Sequence, residues 1–139
     1  MKKNAPIKVI YILIAIFILI LVYFGIPFQQ KRVVFPLVAA LGLIFLTLGI
    51  VLIVLTVKSK IKGKLKVFLI LAGVSAILPL PAAILHNVVY ALMIVLFGEG
   101  VWAGGGDEAF FFILALLVAP ILFLIGAIGS IILTRKKKK

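Results

Sequence analysis

The sequence predicts an all-α integral membrane protein of four transmembrane helices with both termini on the cytoplasmic side. Three observations predict it. Of the 139 residues, 66% are hydrophobic and 13% charged, with a mean hydropathy of +1.45. A soluble domain is about half apolar and a quarter charged. Second, four uncharged stretches cover residues 9–28, 33–57, 67–98 and 109–134. Each reaches the roughly 20 residues needed to cross a hydrocarbon core about 30 Å thick. Third, the net charge of +12, from 15 Lys and Arg against 3 Asp and Glu, is divided unevenly along the chain. Thirteen basic residues fall before the first stretch, between the second and third, and after the fourth; only Lys31 and Arg32 fall elsewhere. Cytoplasmic loops carry such an excess. In lipid the backbone must satisfy its own hydrogen bonds, so each stretch is a helix. Period-two alternation, the mark of a membrane barrel, is missing.

The first stretch follows Lys2, Lys3 and Lys8 and resembles a secretory leader in that respect. It is longer than a leader's apolar region and ends in Val22-Tyr23-Phe24-Gly25-Ile26-Pro27, without a small-x-small cleavage pattern. It therefore reads as a retained helix. Apart from Ala15 its interior is Ile, Leu, Val and aromatic, which predicts a peripheral position. Tyr11 and Tyr23 near its ends, and Trp102 farther on, suit the headgroup level.

Ala39, Gly42, Gly49 and Thr56 recur at three-four spacing in the second stretch. Lipid gives no hydrophobic drive for helix association, so small residues that admit a neighbouring backbone carry it. Ala115, Ala119, Gly126, Gly129 and Ser130 repeat the pattern in the fourth stretch. The second and fourth helices are expected to be central.

The third stretch, with 32 residues, is too long for one upright crossing and too short for two. Pro79 and Pro81 each remove a backbone donor, so the helix should kink or break there. A re-entrant hairpin would send the basic tail outside and is rejected for that reason. Beyond the prolines lie His86, Asn87 and Tyr90. Ser75 joins His86 and Tyr90 on one helical arc if the register survives the prolines. Ionisable groups in the apolar layer are costly and usually turn inward. The four residues are the candidate intramembrane polar site, with His86 first. It reads foremost as a hydrogen-bonding group between helices and secondarily as part of a proton or solute path.

Between the third and fourth stretches, Asp107 and Glu108 precede a helix and are expected to cap its positive end. The charge runs Lys58, Lys60, Lys62, Lys64, Lys66 and Arg135, Lys136, Lys137, Lys138, Lys139 orient the chain and contact anionic headgroups. They are short and tied to the membrane, which excludes a nucleic-acid reading surface.

The chain reads as one four-helix transmembrane domain over residues 1–139, without a soluble domain. With no cysteine and three acids it has no metal site, cofactor or catalytic residues in view. The functional expectation is a non-catalytic accessory or scaffold subunit that partners another membrane protein or a further copy of itself. The alternative is a small homo-oligomeric transporter or channel using the His86, Asn87 and Tyr90 region. Compositional style places it in a prokaryotic plasma membrane.

Overall fold

Every element of the computed structural model is helical. It describes residues 4–102 and 109–136, without the side chains of residues 28–31. Asp107, Glu108 and Lys137 to Lys139 lie outside the described residues, and so do Lys2 and Lys3. In chain order the elements are α1 (Ala5–Phe24), α2 (Phe28–Lys58), α3 (Lys64–Ile77), α4 (Pro79–Phe97), a 3-10 turn (Glu99–Trp102), α5 (Ala109–Ile113), a π-helical turn (Leu114–Val118) and α6 (Ala119–Lys136). Four spans are long and apolar enough to cross a membrane: Ala5–Phe24, Arg32–Lys58, Pro79–Phe97 and Ala109–Lys136. The all-helical architecture is compatible with a multi-pass membrane protein.

Helix limits follow backbone chemistry more closely than the charge pattern. Pro6 fits the first turn of α1, where its missing N–H would have no partner. Lys8 is thereby drawn into the helix, its exposed stem free to reach toward water. At the other end Gly25 and Ile26 donate back to the carbonyls of Val22 and Tyr23, and Pro27 turns the chain into α2. This reversal precedes the expected limit at residue 28. Gly98, at φ +80°, closes α4 in a conformation open to glycine and strained for other residues.

The third stretch is divided at Leu78, whose dihedrals remain helical (φ −53°, ψ −36°). The Leu78 N–H donates to Val74, and the Ala82 N–H donates to Leu78. Pro79 and Pro81 have no N–H to give, so the ladder thins between those two bonds without unwinding.

The core gathers in the half of the bundle nearer Lys58 and Lys64. α3 lies between α2 and α6, and α1 packs chiefly on α2. α3 is thus the central helix, not α2 or α6, because it supplies its own small residues. A Cβ on Gly49 of α2 would stand 2.9 Å from the Gly73 carbonyl oxygen and 2.9 Å from the Ala76 Cβ. On the other side of α3, a Cβ on Gly126 would meet the Ala72 nitrogen at 2.6 Å, and one on Gly129 would enter the Phe68 ring. Thr56, Ala119 and Ser130 are buried as well. Ala39 is exposed, Gly42 has no atom within 4 Å of an added Cβ, and Ala115 is half-buried.

α1 enters this core with a stripe of large side chains, Ile10, Leu13, Ile16 and Phe17, while Ala15 is exposed. Phe17 meets Phe123 of α6 at 4.8 Å between ring centroids, and Phe123 meets Phe45 of α2 at 5.0 Å. Offset and edge contacts of this kind are favourable beyond their buried area. These rings join three helices and seat α1 more deeply than its lack of small residues suggests.

The other half of the molecule is different. α4 packs on α5, the π turn and the 3-10 turn, with no more than marginal contact to α1 or α2. Among its residues only Ala82 is buried.

A candidate polar site on the fourth helix

His86, Asn87 and Tyr90 all lie on α4, beyond the prolines. A four-residue offset stacks His86 and Tyr90 on one face, and that face turns toward the segments that follow α4. The His86 imidazole lies 6.1 Å from the Phe112 ring of α5, centroid to centroid, at 48°. Tyr90 stacks on Trp102 of the 3-10 turn at 5.6 Å and 12°. Asn87 sits to the side, exposed, and its amide donates to the Ala83 carbonyl at 2.8 Å.

Ser75 is not part of this group. It is buried in α3, and its hydroxyl donates to the Leu71 carbonyl at 2.7 Å. Eleven residues separate it from His86, an axial distance of about 16 Å at a helical rise of 1.5 Å. Ser75 and His86 lie in separate helices, at separate depths and among different neighbours. The site that the structure brings together is His86 and Tyr90 with Phe112 and Trp102.

Sequence reasoning missed two parts of it. Trp102 reads as an interfacial anchor by type, yet it is the stacking partner of Tyr90. Its indole Nε1 is buried without a hydrogen-bond partner among the described residues. The second is the π turn that packs against α4. There the Ala119 N–H donates five residues back, to Leu114. Pro120 supplies the reason: a proline clashes with the carbonyl four residues before it and offers no N–H, and one wider turn accommodates it. The signal was the proline, although a proline alone does not distinguish a π turn from a bend.

The chain's serine and threonine hydroxyls are all spoken for. Its six serines and threonines, Thr47, Thr56, Ser59, Ser75, Ser130 and Thr134, each donate to the carbonyl four residues earlier in their own helix, at 2.6–2.8 Å. None of these bonds links two helices or primes a hydroxyl as a nucleophile, which would need a base at hydrogen-bond reach. The described residues hold no group of three His, Cys, Asp or Glu side chains suited to a metal ion. The site can stack, donate and accept hydrogen bonds.

The basic residues collect at the opposite end. Lys58, Lys60, Lys62 and Lys64 are exposed, Lys66 is half-buried, and Arg135 and Lys136 are exposed at the end of α6.

No family model matches this chain, and neither a curated protein nor a solved structure is detectably similar to it.

Proposed function

We propose that the chain is a non-catalytic accessory or scaffold subunit of a prokaryotic plasma-membrane assembly, and that the outer half of α4 receives a membrane-protein partner. In this reading both termini and the lysine-rich loop are cytoplasmic. The third span is a single crossing bent at Pro79 and Pro81, which carries α4 away from α1 and α2.

One observation carries the reading: of the 19 residues of α4, only Ala82 is buried. Val95 is 80% exposed, and Leu92, Leu96 and Phe97 are also exposed. Ala39 and Gly42 on α2 add a small-residue face that no described helix occupies. Small residues admit close backbone approach, so this face suits a helix from outside. The serine and threonine hydroxyls are each committed to a carbonyl of their own helix.

A second reading, a homo-oligomeric transporter or channel, draws support from His86 and Tyr90 sharing a face within an apolar span. A photo-reactive phenylalanine analogue at Leu92 separates the two in native membranes. The expected product on irradiation is a discrete adduct with an unrelated membrane protein. Adducts only with further copies of this chain would favour the transporter instead, and loss of flux in vesicles on H86A, with assembly intact, would establish it. The absence of a protein adduct from Leu92, and from the same analogue at exposed Leu37 near Ala39 on α2, would overturn both.

A further inference from the structure

The loop between α2 and α3 has an order that its composition does not require. Along Lys58-Ser59-Lys60-Ile61-Lys62-Gly63-Lys64-Leu65-Lys66, Lys58, Lys60, Lys62 and Lys64 are exposed and Lys66 is half-buried, while the side chains of Ser59, Ile61 and Leu65 turn in. Ser59, Ile61 and Leu65 are 5%, 8% and 7% exposed. Ser59 is held by its hydroxyl on the Leu55 carbonyl, and Ile61 and Leu65 belong to the core of the bundle. The outward turns are made by backbone in the left-handed region. Lys60 has φ +52°, and Gly63 has φ +71° with ψ −158°, a combination essentially reserved for glycine. A charge run that served only to orient the chain would need none of this.

The end of α6 belongs to the same rim. Phe68 lies against Gly129 and Ala72 against Gly126, so α3 and α6 run antiparallel in a known register. Continuing it by about a turn and a half brings the loop level with Arg135 and Lys136. Two cationic groups result, the loop lysines and the α6 pair. All three acids of the chain, Glu99, Asp107 and Glu108, follow α4 in the sequence, well removed from both lysine-rich runs.

We propose that this rim is a preorganised site for phospholipid headgroups, selective for lipids that carry two linked phosphates over an equal charge of single-phosphate lipids. The anchors fix the lysine backbone before binding, which lowers the ordering cost. Once one phosphate is seated on the loop, a second, tethered phosphate meets Arg135 and Lys136 at high effective concentration. Independent lipids lack that gain. The proposal rests on the chain lying in a bilayer and not on what α4 binds, so either can fail alone.

The test reconstitutes the full chain in phosphatidylethanolamine vesicles that contain either cardiolipin or twice its mole fraction of phosphatidylglycerol, at equal lipid charge. Retained lipid is counted by native mass spectrometry after extraction in mild detergent. One basic residue at an anionic surface contributes about fivefold, and a preference for cardiolipin of at least that size is expected. G63A keeps every charge, and nothing lies within 4 Å of its new Cβ. It strains only the loop and should bring the preference close to unity. R135Q/K136Q, on exposed positions, should do the same while phosphatidylglycerol retention falls only modestly. No preference in the native chain overturns the proposal, and so does a preference that G63A leaves intact. If G63A proves unstable, R135Q/K136Q decides, and an undiminished preference there overturns it.

Discussion

A Cβ at Gly126 would collide with the Ala72 nitrogen and the Phe68 carbonyl oxygen, at 2.6 and 2.9 Å. Both are backbone atoms, which cannot swing aside as a side-chain tip can. At Gly42, in α2, an added Cβ meets nothing within 4 Å. The two glycines look equivalent in sequence, each in a three-four series, and are opposite in consequence. Overpacking a fitted site costs about 1–3 kcal/mol, so G126A should destabilise by about 2–3 kcal/mol. In a helix interior glycine is about 0.5–1 kcal/mol worse than alanine, so G42A should be neutral or stabilising by up to that amount. Reversible unfolding by SDS in mixed micelles measures both. Equal losses for the two variants would mean that Gly42 is packed in the membrane as tightly as Gly126, which contradicts the geometry. Because all six serine and threonine hydroxyls bond within their own helices, this close packing and the Phe17, Phe45 and Phe123 rings carry the association of α1, α2, α3 and α6.

At the scale of elements, the number of helices long and apolar enough to cross a membrane was legible because length and charge are one-dimensional properties. The small-residue series on α2 and α6 were visible for the same reason. Their partner surface on α3, Ala72, Gly73 and Ala76, was not singled out, and pairing is a matter of three dimensions. Core and lipid-facing positions are equally apolar in such a chain, so no contrast in hydropathy marks Phe17 or Phe123 as internal. The path of α4 was likewise beyond the pattern: prolines announce a lost bond, not the direction taken afterwards. That direction is testable. Replacing Pro79 and Pro81 by alanine restores two donors to the ladder, each worth about 1 kcal/mol. The expected result of P79A/P81A is a more stable chain whose α4 lies nearer α2. Spin labels at Leu37 and Leu92, both exposed, should report a shorter and narrower distance distribution. An unchanged distribution would assign the course of α4 to its packing on α5 and the π turn, with the prolines as passengers.

For the whole molecule, all the helix ends that carry the basic excess meet at one end: the start of α1, the end of α2, the start of α3 and the end of α6. In the orientation proposed above, an odd number of crossings between the lysine-rich loop and the 3-10 turn is what keeps the tail on the side of that loop. The chain has no native cysteine, so single cysteines report sidedness without background. Ser59 is a poor reporter, because at 5% exposure it would resist modification on either side. Lys62 is exposed, and Gly100 in the 3-10 turn is exposed with nothing within 4 Å of an added Cβ. With an impermeant thiol reagent on intact cells, K62C should stay protected and G100C should react, and permeabilisation should expose both. The reverse pattern would invert the orientation while leaving the crossings intact. Labelling of both positions from outside, or of neither before permeabilisation, would mean that α3 and α4 return to the side they left. A return of that kind needs a tight reversal at Pro79 and Pro81, where Leu78 would have to abandon its helical dihedrals. The same pair of cysteines therefore tests the sign of the topology and the continuity of its third helix in one measurement.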